Sequence, residues 1–263
     1  MARAVIIIPT YNERDNTARM IDALSGVVSG VRGHELHVLY VDGKSPDGTA
    51  DLVRERQKSF PWLHLLLEEK KEGLGMAYAK GMRHAMEKLG ADYLMEFDGD
   101  FQHRPSDIPR LLAEIDAGYD YIIGSRYVAG GSIPRDWGFG RKVMSRGGSL
   151  LTRALLFLPG IHDVTGGFKL SRVNGFMDSF DFSSLLSKSF AYKIHILYFM
   201  AKSGARVKEV PIAFGARTSG DSKIARNEMQ ETLRVIAMLL WRRLRMGRGW
   251  DRKSGKQRGG AKG

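Results

Sequence analysis

The chain has no cysteine among its 263 residues. Disulfides and thiolate metal sites are therefore excluded, and the composition fits a reducing, cytosolic setting. Long hydrophobic runs are missing too. The longest in the C-terminal part covers only residues 235–241, well short of the length needed to span a bilayer. The few residues before the first strand-like run are too short for a signal peptide. Acidic residues are in deficit: 29 Asp and Glu stand against 41 Lys and Arg, a net charge of +12. That excess points to an anionic partner, which could be nucleic acid, a phosphorylated substrate or an acidic membrane. No nucleic-acid-binding motif accompanies the charge, so a nucleic-acid-binding protein stands only as a rival reading from another class.

What is present is enough apolar material, 43% of residues, to bury a full core in one large domain or two small ones. Short apolar runs at 4–9, 36–41, 63–67, 93–97 and 121–125 read as buried parallel strands. Helical patterns at 13–28, 49–58, 74–89 and 106–117 lie between or after them. Strand–helix alternation at this spacing predicts an open α/β sheet of the nucleotide-binding kind, with ligands beyond the carboxyl ends of the strands. After residue 126 the rhythm breaks. Residues 127–140 read as a Gly-rich loop, 141–158 as a helix with apolar and basic residues, and 206–214 as a strand. A helical pattern over 227–244 puts Leu233, Ile236, Ala237, Leu240, Trp241 and Leu244 on one face.

The polar motifs fall at the expected strand ends. Asp98-Gly99-Asp100-Phe101-Gln102 follows an apolar strand and offers two carboxylates and an amide oxygen. All-oxygen ligation suits a hard cation, Mg²⁺ or Mn²⁺, although Asp-Gly-Asp alone is also a common solvated turn. Asp42 ends another strand and could meet a base or ribose, while Asp47 and Thr49 read as helix caps. Asn12 reads either as a ligand contact or as an N-cap. Gly73-Leu74-Gly75 before a helix could let backbone approach a phosphate.

Together these motifs resemble one family. Ile8-Pro9-Thr10-Tyr11-Asn12-Glu13, Val41-Asp42 through Ser45-Pro46-Asp47-Gly48-Thr49, Gly73-Leu74-Gly75, and Asp98 through Gln102-His103 to Pro105 occur in the order found in polyprenol-phosphate (dolichyl-phosphate) mannosyltransferases of glycosyltransferase family 2. The likeness continues through Ile123-Gly124-Ser125-Arg126-Tyr127-Val128, Arg141-Lys142, Thr165-Gly166-Gly167-Phe168 and Glu209-Val210-Pro211-Ile212, on to Arg217 and Ser222-Lys223.

The resemblance implies a GT-A type, Rossmann-like mixed sheet flanked by helices over residues 1–225. From the residues themselves, 226–246 reads as an amphipathic interfacial helix or as one that packs its apolar face on the domain, and the Gly-, Lys- and Arg-rich 247–263 as a disordered basic tail. The resemblance assigns Pro9, Tyr11, Glu13, Asp42 and Asp98 to the nucleotide sugar, with Arg217 and Lys223 from a mobile basic segment. Asp98, Asp100 and Gln102 match the ligands of Mg²⁺ or Mn²⁺. Arg126, Arg141 and Ser145 match positions gathering the acceptor phosphate, and Asp98, Asp100 and Arg126 form the implied catalytic set. The family carries two carboxylates where this chain has Asp42-Gly43, and an acidic residue where it has Leu197, with His195 nearby. The sugar is therefore mannose by default, from GDP-mannose, with UDP-glucose as the alternative donor. A non-catalytic member is a further alternative, against which the complete Asp98, Asp100, Gln102 set argues. The implied acceptor is a polyprenyl monophosphate, the implied place the cytoplasmic face of an anionic membrane, and a small membrane-protein partner is possible in that setting.

Overall fold

Alternation along the first strand sets the layers. Val5 and Ile7 enter one apolar core, while Ala4, Ile6 and Ile8 enter another on the opposite face of the sheet. The computed structural model describes residues 1–215 and 228–246. It contains β1 (Ala2–Thr10), β2 (His34–Asp42), β3 (Leu63–Leu67), β4 (Tyr93–Glu96), β5 (Tyr121–Ser125), β6 (Lys169–Arg172) and β7 (Val207–Pro211). These form one sheet in the order β3-β2-β1-β4-β6-β5-β7. The helices are α1 (Arg14–Gly30), α2 (Thr49–Gln57), α3 (Leu74–Lys88), α4 (Ile108–Asp116), α5 (Phe139–Leu155), α6 (Tyr192–Lys202) and α7 (Glu228–Met246).

The first four strands are parallel and in the expected places. β5 also lies among the expected strands, and it is parallel to β7. Between β4 and β5, however, runs β6, antiparallel to both, which the sequence pattern did not reveal. β6 is only four residues long, and Lys169 and Arg172 sit at its ends, so it carries no apolar run to mark it.

Helix α4 shows how the layers are fastened. Ile108, Leu111, Leu112 and Ile115 recur at helical spacing and are all buried. Each such side chain contributes about 1.5–3 kcal/mol of transfer free energy. Helix α6 has no polar face at all: every residue from Tyr192 to Met200 is buried, Leu197 and His195 included. It can be so because α7 packs over it, burying Val235, Ile236 and Leu239.

That packing corrects the expected apolar face of α7. Of its six members only Ile236 is fully buried, whereas Leu233, Trp241 and Leu244 are exposed. The sequence pattern alone implies one apolar side. The helix has a core side and, next to it, an apolar strip open to solvent. No helix among the described residues is long and apolar enough to cross a membrane. The expected basic tail lies outside the described residues, as do Arg217 and Lys223.

Candidate active site

Where β1 and β2 end side by side, the chain ties its two loops together. Asp42 is fully buried, and its carboxylate accepts from Thr10 Oγ1 at 2.9 Å and from the Ser45 backbone N–H and hydroxyl at 2.8 and 2.6 Å. These bonds hold the loop in shape. Asp47 accepts from the backbone N–H groups of Arg14 and Thr49, so one carboxylate caps the starts of both α1 and α2. Glu13, not Asn12, occupies the N-cap position of α1, and Asn12 is in the left-handed region at φ 54°. Pro9 and Tyr11 flank Thr10 at this edge, and the Lys71 ammonium sits 3.8 Å from the Tyr11 ring centroid.

Gly43, where a second carboxylate was expected, is not an empty position. A Cβ there would meet Tyr11, Lys71 and Glu68 Oε2, the last at 3.5 Å. Glu68, from the end of β3, thus brings a carboxylate to the space above Gly43, and Lys80 anchors it at 2.9 Å. The Gly73-Leu74-Gly75 motif also has a local explanation. The Gly75 N–H donates to the Lys188 carbonyl, and a Cβ at Gly73 or Gly75 would strike the backbone carbonyls of Lys188 or Ser187. Close passage of segment 187–189 demands these glycines.

The turn after β4 holds the carboxylate pair. Phe101 takes the left-handed conformation at φ 62°, and the Gln102 N–H donates to Asp100 Oδ1 at 3.1 Å. The Gln102 amide nitrogen donates to the Gly215 carbonyl. Asp98 is held from three sides: Tyr78 donates to Oδ1 at 3.0 Å, while His103 Nε2 lies 3.5 Å and Lys193 Nζ 3.9 Å from Oδ2. Burial alone favours the neutral acid here, but Lys193, His103 and Tyr78 override it and hold the carboxyl well below the ordinary range. Asp98 is therefore ionised. Two oxygen-bearing acids and an amide on one turn fit a hard divalent cation by donor type.

Arg126, directly after β5, meets a partner absent from the sequence reading. Its Nε and Nη2 donate to the two oxygens of Asp163, both at 2.7 Å, and its backbone N–H donates to Asp163 at 2.9 Å. Nη2 also reaches Thr165 Oγ1. Asp163 is wholly buried. Burial favours its neutral form, and the Arg126 guanidinium overcomes this and keeps it ionised. An aromatic hub links this pair to the acidic turn. Arg126 lies 5.4 Å from the Phe214 ring centroid, and Phe214 packs on both His103 and Trp137. Arg141 stacks on Trp137 at 4.0 Å, and Ser145 Oγ pairs with Tyr127 OH at 2.5 Å. So Asp98, Arg126, Arg141 and Ser145, spread over 48 positions of sequence, are joined through Tyr127, Trp137, Phe214 and His103.

Residues 5–180 match the family model described as Glycosyl transferase family 2. The chain belongs to glycosyltransferase family 2. It is 36% identical over 236 residues to the polyprenol monophosphomannose synthase of Mycolicibacterium smegmatis, covering 89% of this chain and 86% of that one. It is 37% identical over 239 residues to the undecaprenyl-phosphate mannosyltransferase of Micrococcus luteus, covering 91% and 93%. Among solved structures, glucosyl-3-phosphoglycerate synthase from Mycobacterium tuberculosis, in complex with Mn²⁺, UDP and phosphoglyceric acid, superposes with a TM-score of 0.63 at 17% identity. It covers 92% of this chain and 78% of the other, a likeness of GT-A fold.

Beside the hub, this glycosyltransferase has a groove of about 250 Å³ lined by Tyr127, Arg146, Leu150, Arg153 and His162. Phe139, Val143, Arg146, Leu150 and Arg153 follow one another along α5 at four- and three-residue steps, which makes one stripe. Phe139, Val143 and Leu150 are exposed there, and Phe157, just past the helix, is exposed as well. Arg243 of α7 stacks on Phe157 at 4.8 Å and joins this stripe to the solvent-facing apolar strip of α7. The sequence showed α5 as a mixture of apolar and basic residues. The helical spacing that separates them into a face was already legible there.

Proposed function

We propose that the enzyme transfers a hexose, mannose from GDP-mannose, to a polyprenyl monophosphate at a membrane surface, with inversion at the anomeric carbon. One observation supports this most directly: the acidic turn, the arginine hub and an exposed apolar-basic helix face are contiguous. A soluble phosphate acceptor would need the first two only. A lipid phosphate needs all three. The kinship with the two curated mannosyltransferases points the same way.

The acceptor's nucleophile is a phosphate oxygen. With a second pKa of about 6, the phosphate is largely dianionic at neutral pH, so no side chain has to remove a proton. The difficulty is instead to bring two anions together. Arg141 and Ser145, one turn apart on α5, would gather the acceptor phosphate, and Arg126, fixed by Asp163, would present a rigid cation between them and the acidic turn. Arg217 and Lys223 would add charge from the segment after β7. Tyr11 and Pro9 would bound the nucleotide at the β1 edge, with Glu13 and Asp42 holding that loop in shape. Asp98, Asp100 and Gln102 would hold Mg²⁺ or Mn²⁺, which neutralises charge on a departing diphosphate. The exposed strips of α5 and α7 would rest on an anionic bilayer at its cytoplasmic face, alone or beside a small membrane protein.

The test is transfer of labelled sugar from GDP-mannose and UDP-glucose, in parallel, to polyprenyl monophosphate with and without chelator. Label in lipid from GDP-mannose alone supports the reading. Label from UDP-glucose alone replaces the donor, and retained anomeric configuration in the product overturns in-line displacement.

A further inference from the structure

Asp98 and Asp100 are chemically different sites. Both oxygens of Asp98 already face donors from the protein: Tyr78 on Oδ1, and His103 and Lys193 on Oδ2. Among these Lys193 is unusual. It projects from α6, a helix otherwise buried on every side, and its side chain is only 4% exposed. A buried ammonium is costly without an anion, and Asp98 is the only carboxylate within ion-pair distance of it among the described residues. The chain also clears the space between them. Gly167 passes so close that a Cβ there would lie 2.6 Å from both Asp98 Oδ2 and Lys193 Nζ. The pair is thus a built feature, with the loop leading into β6 bare of a side chain at Gly167 to admit it.

We infer that Lys193 is a resident counter-cation of the acidic turn: it offsets the charge of Asp98 and weakens divalent-metal binding until a nucleotide diphosphate arrives. This rests on the metal site proposed above and concerns the order in which that site fills. Two cations near one carboxylate repel each other in proportion to the product of their charges, and a partly buried setting screens them poorly. A free enzyme with Lys193 in place therefore holds a divalent ion loosely. The diphosphate's negative charge then tips the balance toward the metal. Lys193 acts through Asp98, as a positioning residue, and is not assigned any contact with substrate.

The experiment is Mn²⁺ binding to the full chain without nucleotide, followed by electron paramagnetic resonance of the free ion. The native protein is compared with Lys193→Gln, Lys193→Met and Lys193→Arg, with Asp100→Asn as the control for the site. Removing the positive charge should tighten Mn²⁺ binding by about tenfold or more, in the Gln variant as in the Met variant, while Arg stays near the native value. Structural damage would weaken binding, so tightening cannot come from it, and a melting curve in chelator verifies that each variant folds. Unchanged or weaker binding in a folded Lys193→Gln overturns the inference while leaving the metal site intact, provided Asp100→Asn abolishes native binding. Mn²⁺ binding that survives Asp100→Asn, or is missing from every protein, overturns the metal site and the inference with it.

Discussion

The two halves of the sheet's carboxyl edge treat charge in opposite ways. On the β1-β2 side, acids are turned inward and satisfied by the protein itself. Asp42 collects a threonine and a serine, and Asp47 caps two helices. On the side of β5 and α5, cations are turned outward. Among the described residues, Arg146 and Arg153 line an open groove without a carboxylate partner, next to exposed Phe139 and Leu150. The first half is finished before any ligand arrives. On the function proposed above, the second is left for an anionic, partly apolar ligand to finish. Arg126 departs from this division: it stands on the cationic side and is as fully paired as the acids opposite, through buried Asp163.

Breaking that exception should have the largest effect. Asp163→Ala leaves the Arg126 guanidinium buried and unpaired, and should lower unfolding free energy by about 3–5 kcal/mol in a denaturant titration. The same variant should lose transferase activity, because Arg126 is no longer fixed. Stability close to native would mean that Arg126 swings out to water and that the hub is not rigid. Next in size is Asp100→Asn, on the acidic turn itself. It should reduce kcat by about 10²–10³-fold while leaving the melting temperature near native, since an asparagine Oδ1 can still accept from the Gln102 N–H. A small kinetic loss would show that the turn is not where charge develops.

The same contrast explains how much could be read from sequence. Parallel strands buried on both faces announce themselves as apolar runs, so β1 to β5 were legible, and so was the placing of Asp42, Asp98 and Arg126 at strand ends. Pairings across the fold were not. Asp163 lies 37 residues from Arg126 in a loop, with no periodicity to point to it. Lys193 sits in a helix whose apolar residues cover all sides, where a lysine in the first turn looks like a surface residue. Glu68 reaches the space above Gly43 only because β3 pairs with β2 in one register. β6 escaped notice because its burial comes from its neighbours rather than from its own side chains.

A smaller effect sharpens the finished half. Helix α3 crosses the sheet at Gly81, where a Cβ would lie 2.6 Å from Ile7 Cγ2 and 2.9 Å from Val41 Cγ2. Gly81→Ala should therefore force α3 off β1 and β2, at about 1–3 kcal/mol of stability. Ala in place of Gly favours a helix interior by about 1 kcal/mol, and the contact outweighs that gain. A variant more stable than native would show that the helix shifts freely and that this half is less rigid than its hydrogen bonds indicate.

The least change to the fold is expected on the unfinished half. Phe139 and Leu150 are 83% and 60% exposed on the stripe of α5, so Phe139→Glu with Leu150→Glu should alter stability by no more than about 0.5 kcal/mol for each residue. Their effect should appear only with lipid. Each apolar side chain buried at a bilayer surface is worth about 1.5–3 kcal/mol, and the added carboxylates are repelled by anionic headgroups. Co-sedimentation with anionic vesicles should therefore fall by about tenfold or more, with the far-ultraviolet spectrum unchanged. If vesicle binding stays native while the fold is intact, the stripe of α5 is not the membrane face, and the solvent-facing strip of α7, with Trp241 and Leu244, must carry that contact alone. If stability falls instead, the stripe belongs to a protein interface, and the outward-facing half is completed by a partner rather than by a lipid.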